Sequence, residues 1–122
     1  MLLQKRKEKR DIMQEMRIIQ TLTEYQMIKE QEKFSLFLFG SQDCAPCKAL
    51  KEKITIWSVT HPQVFTSYVS IENNISLAAQ ENILGVPTIF VFVEGKEAIR
   101  KIRYFSLEEV FTALERYIFY SD

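Results

Sequence analysis

The chain has 122 residues, a length typical of one domain with one hydrophobic core. Hydrophobic residues make up 47% of it and charged residues 26%, with three Gly and three Pro, which excludes a fibrous or intrinsically disordered protein. The 16 basic and 16 acidic side chains cancel, so no overall field favours nucleic acid or an acidic substrate as the partner.

Residues 1–20 differ in composition from the rest of the chain. The run QKRKEKRD is a charge cluster, and the apolar residues Ile12, Met16 and Ile19 follow it at helical spacing. We therefore predict a basic N-terminal helical extension over residues 1–20, ahead of a single domain over residues 21–122. The extension is interpreted either as a surface that contacts a membrane or a partner, or as a helical segment without a binding role.

No apolar run in the sequence has the length of a secretory signal or of a membrane-spanning helix, which needs about 18 residues. The chain is therefore expected in the cytoplasm. Because thiols are kept reduced there, a pair of cysteines indicates a catalytic or metal-binding role more than a permanent cross-link.

From residue 22 onward, helical and strand patterns alternate along the chain. Apolar residues three or four apart predict helices, and short apolar or alternating runs predict strands. In chain order the predicted elements are helix 22–32, strand 33–40, helix 45–59, strand 64–71, helix 76–83, strand 87–92, strand 97–105 and helix 107–119. The turn VEGK joins the last two strands as a hairpin, and Ser106 is the expected N-cap of the last helix.

This order of elements predicts an α/β fold. The two strand–helix–strand units favour parallel crossovers, and the closing hairpin adds an antiparallel strand at one edge. One central mixed β-sheet with helices on both faces accommodates both features.

The only two cysteines, Cys44 and Cys47, lie in the motif CAPC where a predicted strand gives way to a helix. Pro46 suits the first turn of that helix, because the N–H that proline lacks would be unbonded there. Free backbone N–H groups and the positive end of the helix dipole then face the Cys44 sulfur and favour its thiolate. Cys44 is thus the candidate nucleophile, and Cys47 the candidate thiol that resolves a mixed disulfide.

A metal site and an inert pair of cysteines are the alternatives. A closed zinc site takes four N or S ligands, and beyond the cysteines the chain offers one imidazole, that of His61. The predicted helix 45–59 spans about 20 Å and separates His61 from the cysteines, so only a site shared between two subunits would hold zinc. No metal ligand is therefore assigned.

The sequence resembles the thioredoxin family over about residues 18–120. The resemblance is carried by an apolar strand leading into CAPCK, the helix and strand after it, the motif GVPT about forty residues later, and FVEGKEAIRKI before a C-terminal helix. It implies a thioredoxin-like fold in which Pro87 has a cis peptide bond and faces the dithiol. It also implies that Val86 offers backbone groups to an extended substrate segment, and that Pro46, Val86 and Pro87 shape the substrate-binding site.

The resemblance further implies thiol–disulfide oxidoreductase activity on protein substrates, as part of cell redox homeostasis. Electrons would come from a thioredoxin-reductase-type enzyme or from a low-molecular-weight thiol. No bound cofactor is expected, because the dithiol itself carries the electrons. The alternative on the same fold is a protein-binding or redox-sensing module without efficient turnover.

The chain departs from the family's pattern at four positions around the dithiol. General reductases of the family carry Trp before the first Cys and Gly after it, where Asp43 and Ala45 stand here. They also bury an acid six positions before the first Cys, and its partner lysine nineteen positions before the cis-proline; Leu38 and Tyr68 occupy these positions. We therefore expect proton transfer at Cys47 to depend on water or on another group.

Overall fold

The computed structural model describes residues 16–121, which form a five-stranded sheet and four helices. In chain order the elements are β1 (Arg17–Ile18), α1 (Leu22–Gln31), β2 (Phe34–Gly40), α2 (Ala45–Val59), β3 (Val64–Ser70), α3 (Ile75–Gln80), β4 (Thr88–Val93), β5 (Lys96–Ile102) and α4 (Leu107–Phe119). From residue 22 onward the order matches the prediction, and α2 and α4 have the predicted bounds. None of these helices combines the length and the apolar composition that a membrane crossing requires.

The sheet is mixed, and its strands lie in the order β1-β3-β2-β4-β5. The central strand β2 pairs in parallel with β3 and antiparallel with β4. All seven residues of β2 are buried, which explains why its sequence FSLFLFG is almost continuously apolar. The predicted α/β fold class with a mixed central sheet is confirmed.

Separate hydrophobic clusters lie on the two faces of the sheet, because neighbouring side chains of a strand point to opposite faces. On one face, Leu38 of β2 packs with Ile54 of α2 and Leu114 of α4. The other cluster includes residues of α1, β2 and α3, namely Tyr25, Ile28, Phe37, Phe39 and Leu77. Helices therefore cover both faces of the sheet.

The prediction of a parallel crossover between strands 64–71 and 87–92, which correspond to β3 and β4, is wrong. The prediction makes both strand–helix–strand units parallel, but β4 runs antiparallel to β2. The intervening helix α3 has six residues and spans about 9 Å, whereas β3 has seven residues and spans about 23 Å. Because so short a helix does not return the chain to the start of β3, β4 begins at the end of the sheet where β3 stops.

The segment before α1 also differs from the prediction. Helical structure is predicted for residues 1–20, but Arg17–Ile18 form an edge strand that pairs in parallel with β3. Met16 and Ile19 flank this strand and are buried in the clusters on opposite faces of the sheet. A spacing of three fits one face of a helix, but in an extended chain it sends the two side chains to opposite faces. The rest of the predicted extension, residues 1–15, lies outside the described residues.

Side-chain caps fix the starts of two helices. The Glu109 N–H donates a hydrogen bond to the Ser106 hydroxyl at the start of α4 (3.2 Å), as the sequence predicts. At the start of α1, the Glu24 N–H donates to the Thr21 hydroxyl (3.0 Å). Each hydroxyl satisfies a backbone donor that has no partner within its own helix.

Candidate active site

The dithiol lies where the central strand ends and α2 begins. Beyond Gly40 the chain turns, with the Cys44 N–H donating to the Ser41 carbonyl (3.3 Å), and Cys44 becomes the N-cap of α2. The Cys47 N–H donates to the Cys44 sulfur at 3.2 Å. A backbone donor and the positive end of the helix dipole thus face this sulfur, in the arrangement expected from the sequence.

The two cysteines are joined in a disulfide, with their Cα atoms 5.2 Å apart. Cys44 is partly exposed, whereas Cys47 is only 1% exposed. Pro46, in the first turn between them, is exposed. The structure therefore represents the oxidised form, in which an incoming thiol has access to Cys44 and little access to Cys47.

A carboxylate from the loop after β3 holds the turn that leads to Cys44. Glu72 accepts hydrogen bonds from the Gln42 N–H (2.7 Å) and from the Ser70 hydroxyl (2.8 Å). The bond from Gln42 and then that from Ser70 hold the pKa of Glu72 below its usual value. Sequence reasoning missed this residue, because the contact joins positions 30 apart in the chain and no local pattern signals it.

Pro87 lies at the same end of the sheet as the dithiol. Its peptide bond with Val86 is cis, and its ring is buried. Phe39 of β2 pairs with Thr88, the first residue of β4, so Pro87 is beside the end of β2 from which the dithiol loop leaves. The Val86 backbone makes no hydrogen bond with another residue between 16 and 121. The structure thus brings Val86 and Pro87 to the sheet end that carries the cysteines.

Exposed residues that the sequence analysis did not single out surround the Pro87 loop. The Arg103 N–H donates to the Pro87 carbonyl (2.7 Å), and Arg103 itself has a positive φ of 65°. Its guanidinium lies over Gly85, with Nε 2.5 Å from the point that a Cβ on Gly85 would occupy. Leu84 and Tyr104 are 82% and 93% exposed. Because exposure depends on the tertiary fold, no sequence signal marked these residues.

No group of three or more His, Cys, Asp or Glu side chains that could hold a metal ion occurs within residues 16–121. His61 lies just beyond α2, where its ring stacks on Trp57 with centroids 3.9 Å apart. Its Nε2 is 3.0 Å from a carboxylate oxygen of Glu115, and Trp57 also stacks on Phe111 (4.4 Å). These contacts make His61 and Trp57 part of the packing between α2 and α4.

A family model described as Thioredoxin matches residues 17–115. The chain belongs to the thioredoxin family. One similar protein of the family is the thioredoxin-like protein YdfQ of Bacillus subtilis, 23% identical over 104 residues that cover 85% of this chain and 93% of YdfQ. Among solved structures, a thioredoxin from Trypanosoma brucei brucei has a TM-score of 0.76 at 17% identity and covers 90% of this chain and 96% of its own. A Plasmodium falciparum thioredoxin has a TM-score of 0.75 at 21% identity and covers 83% of this chain and 98% of its own.

The activity of the thioredoxin family is thiol–disulfide oxidoreduction, and the described residues include one disulfide-bonded pair, Cys44 and Cys47. The positions at which this member departs from the family pattern lie around that pair. Leu38 is fully buried and is the register partner of Tyr68 across β2 and β3. Asp43 is exposed immediately before Cys44. Leu38 has no ionisable group, so it does not replace the family's buried acid.

Proposed function

We propose that the chain is a cytoplasmic thiol–disulfide oxidoreductase that acts on disulfides in other proteins. The observation that carries the proposal is the Cys44–Cys47 disulfide at the N-terminus of α2, with Cys44 partly exposed and Cys47 buried. This arrangement offers a nucleophile that a substrate can reach and a shielded second thiol one helical turn away. Both are needed for dithiol exchange.

In the reduced form, Cys44 makes the first attack. Its thiolate forms a bond to one sulfur of the substrate disulfide, the substrate S–S bond breaks, and the other substrate sulfur leaves as a thiolate that takes a proton from water. The Cys47 N–H, which already points at the Cys44 sulfur, and the α2 dipole stabilise the attacking thiolate.

Cys47 completes the exchange. It loses its proton and attacks the Cys44 sulfur, so the mixed disulfide breaks and the remaining substrate sulfur leaves with the bonding electron pair. The Cys44–Cys47 disulfide forms, and two electrons have passed to the substrate. A thioredoxin-reductase-type enzyme or a low-molecular-weight thiol then reduces the pair. The reducing conditions of the cytoplasm favour this regeneration.

Pro46, Val86 and Pro87 are the proposed substrate-binding residues. Pro46 is exposed beside Cys44, so a bound segment passes over it to reach the sulfur. The unbonded backbone groups of Val86 suit main-chain pairing with an extended substrate segment. The exposed side chains of Leu84 and Tyr104 offer apolar contacts to the same segment.

Reduction of insulin by dithiothreitol, followed by the turbidity of the released chains, tests the proposal. The wild-type chain is expected to accelerate the reaction, and Cys44→Ser to abolish the acceleration, because the one remaining thiol, that of Cys47, is buried. Ser121→Ala, which lies outside the proposed site and 77 positions after Cys44 in the sequence, serves as a control and should match the wild type. Equal rates for wild type and Cys44→Ser would overturn the enzymatic proposal.

A redox-sensing or protein-binding module is the second candidate function. It is favoured by the buried Leu38, because the resolving step then lacks the acid found in general reductases of the family. Trapping with Cys47→Ser separates the two candidates. An oxidoreductase leaves substrate proteins linked to Cys44 through mixed disulfides, and reductant releases them. A module that does not exchange disulfides captures partners that remain bound after reduction.

A further inference from the structure

A phenol borders the buried cysteine of the dithiol. Gly40, the last residue of β2, has no side chain, and the space that its Cβ would occupy is shared by two neighbours. The Tyr68 hydroxyl oxygen lies 2.6 Å from that point and Cβ of Cys47 lies 3.0 Å from it. The glycine therefore allows the Tyr68 hydroxyl to approach Cys47 at the end of the sheet.

The Cys47 side chain lies in a buried part of the site. Cys47 is 1% exposed, and Leu38, the register partner of Tyr68, is fully buried and apolar. Opening the disulfide creates a thiolate at Cys47, and a buried charge without a hydrogen bond is strongly unfavourable. Among residues 16–121, the Tyr68 hydroxyl donates to no other residue, and it is not one of the fully enclosed polar atoms, so its proton is available to a neighbouring thiolate.

Lys51 of α2 contacts the ring of Tyr68. Its Nζ lies 4.7 Å from the centroid of the Tyr68 ring, a cation–π contact. Lys51 follows Cys47 by four residues on α2, so the two side chains lie on the same face of the helix. The ammonium group thus fixes the phenol and adds positive potential near the Cys47 sulfur.

We propose that Tyr68 is a hydrogen-bond donor to the Cys47 thiolate, positioned by Lys51 and admitted by the absence of a side chain at Gly40. The inference rests on the proposed function, whose second step it concerns. When a donor thiolate attacks Cys44, the Cys44–Cys47 bond breaks and its electron pair moves to the Cys47 sulfur. The Tyr68 O–H then points to this sulfur, keeps its proton and stabilises the charge. In the reverse direction the same hydrogen bond favours loss of the Cys47 proton before attack.

The protonation state of Tyr68 agrees with a donor role. Burial, and then the negative charge of Glu72, raise the pKa of its phenol above the usual value, so it stays protonated while thiols titrate. Among residues 16–121, the charged groups found against it are Lys51 from α2 and Glu72 from the loop after β3; its β1 register partner, Ile18, is uncharged. A phenol in this state donates a hydrogen bond and does not act as a base.

Stopped-flow reaction of the reduced chain with an aromatic disulfide, 5,5′-dithiobis(2-nitrobenzoate), separates the two steps. The first coloured thiolate leaves when Cys44 attacks, and the second leaves when Cys47 attacks the mixed disulfide. Tyr68→Phe removes the hydroxyl and keeps the ring. We expect the first phase to be unchanged and the second to slow about three- to tenfold at neutral pH. The lost hydrogen bond lowers the fraction of Cys47 that is ionised, and this loss is partly offset because the remaining Cys47 thiolate is more reactive.

The pH dependence of the second phase distinguishes this role from packing. In Tyr68→Phe its midpoint should move to higher pH, and at alkaline pH the variant should equal or exceed the wild type. Lys51→Met, which keeps the aliphatic stem, should shift the profile in the same direction by less. Tyr120→Phe removes a hydroxyl from a residue that is 81% exposed and should change nothing.

Three results of these measurements would overturn the proposed role of Tyr68. A second phase in Tyr68→Phe with the rate and pH midpoint of the wild type overturns this inference alone. Equal slowing of both phases also overturns it, because the effect is then not specific to Cys47. A wild-type chain in which Cys44 does not react overturns the proposed function and this inference together.

Discussion

Gly40→Ala is the substitution whose effect follows most directly from the structure. A Cβ at this position would lie 2.6 Å from the Tyr68 hydroxyl oxygen, 2.9 Å from Cε1 of the same ring and 3.0 Å from Cβ of Cys47. Carbon atoms in favourable contact are about 3.5–4.0 Å apart. The added methyl group therefore overlaps both neighbours, and one of them, Cys47, is held by its helix.

The magnitude follows from two opposing effects. Overpacking of a well-filled interior costs about 1–3 kcal/mol, and replacing Gly by Ala within a strand returns about 0.5–1 kcal/mol through the unfolded chain. The expected result is a loss of about 1–2 kcal/mol in the free energy of unfolding, or a fall in Tm of about 4–8 °C. Displacing the phenol should also slow the second phase of the aromatic disulfide reaction.

Urea unfolding of the oxidised forms, followed by circular dichroism, measures the difference. Gly85→Ala is the matched control, because the three atoms nearest to its new Cβ all belong to the guanidinium end of the exposed Arg103, which can rotate away. Its cost should remain below about 0.5 kcal/mol. A Gly40→Ala chain as stable as the wild type, or a Gly85→Ala chain equally destabilised, would refute the reasoning.

A helix cap, a hydrogen-bonded carboxylate and a residue with positive φ each have a measurable effect on stability. Ser106→Ala removes the acceptor for the Glu109 N–H and should lower the free energy of unfolding by about 1 kcal/mol in urea titrations, whereas an unchanged value would contradict the capping role. Because its hydrogen bonds lower the folded-state pKa of Glu72, this residue stabilises the fold above the usual glutamate range, and the contribution disappears as pH falls through the folded pKa. Unfolding measured across that acid range should depend less on pH in Glu72→Gln, and an unchanged slope would contradict the account. Arg103→Gly should raise stability by about 0.5 kcal/mol, because glycine adopts the positive φ of 65° without the strain of about 1–2 kcal/mol but costs about 0.5–1 kcal/mol through the unfolded chain; calorimetry showing a loss would refute this.

Strong local sequence patterns predicted most of the helices and strands correctly. The bounds of α4 were predicted from its Ser106 cap and those of α2 from Pro46 in its first turn, each with a periodic apolar face. The strand β2 was predicted because a strand buried on both faces is apolar throughout. The strand β1 was missed because two residues are too few to show alternation. The flanking Met16 and Ile19 have a spacing that fits a helix equally well.

The direction of β4 and the role of Tyr68 depend on information that no local pattern contains. A strand motif predicts extended structure but not the strand's direction, which here follows from the short length of α3. The motif CAPC located the dithiol, and its helix position matched the expectation. The approach of Tyr68 to Cys47 arises from the pairing of β2 with β3 and from the missing side chain at Gly40, which only the assembled sheet reveals.

A Cys44 thiolate stabilised by the start of α2 is the species that attacks the substrate disulfide in the proposed reaction. Titration of the thiolate absorbance near 240 nm in Cys47→Ser, where Cys44 is the only remaining thiol, tests this directly. Cys44→Ser provides the matched spectrum of Cys47. We expect the pKa of Cys44 to lie below the value of about 8.5 that is usual for a free cysteine. A Cys44 thiol that ionises at or above that value would contradict the account.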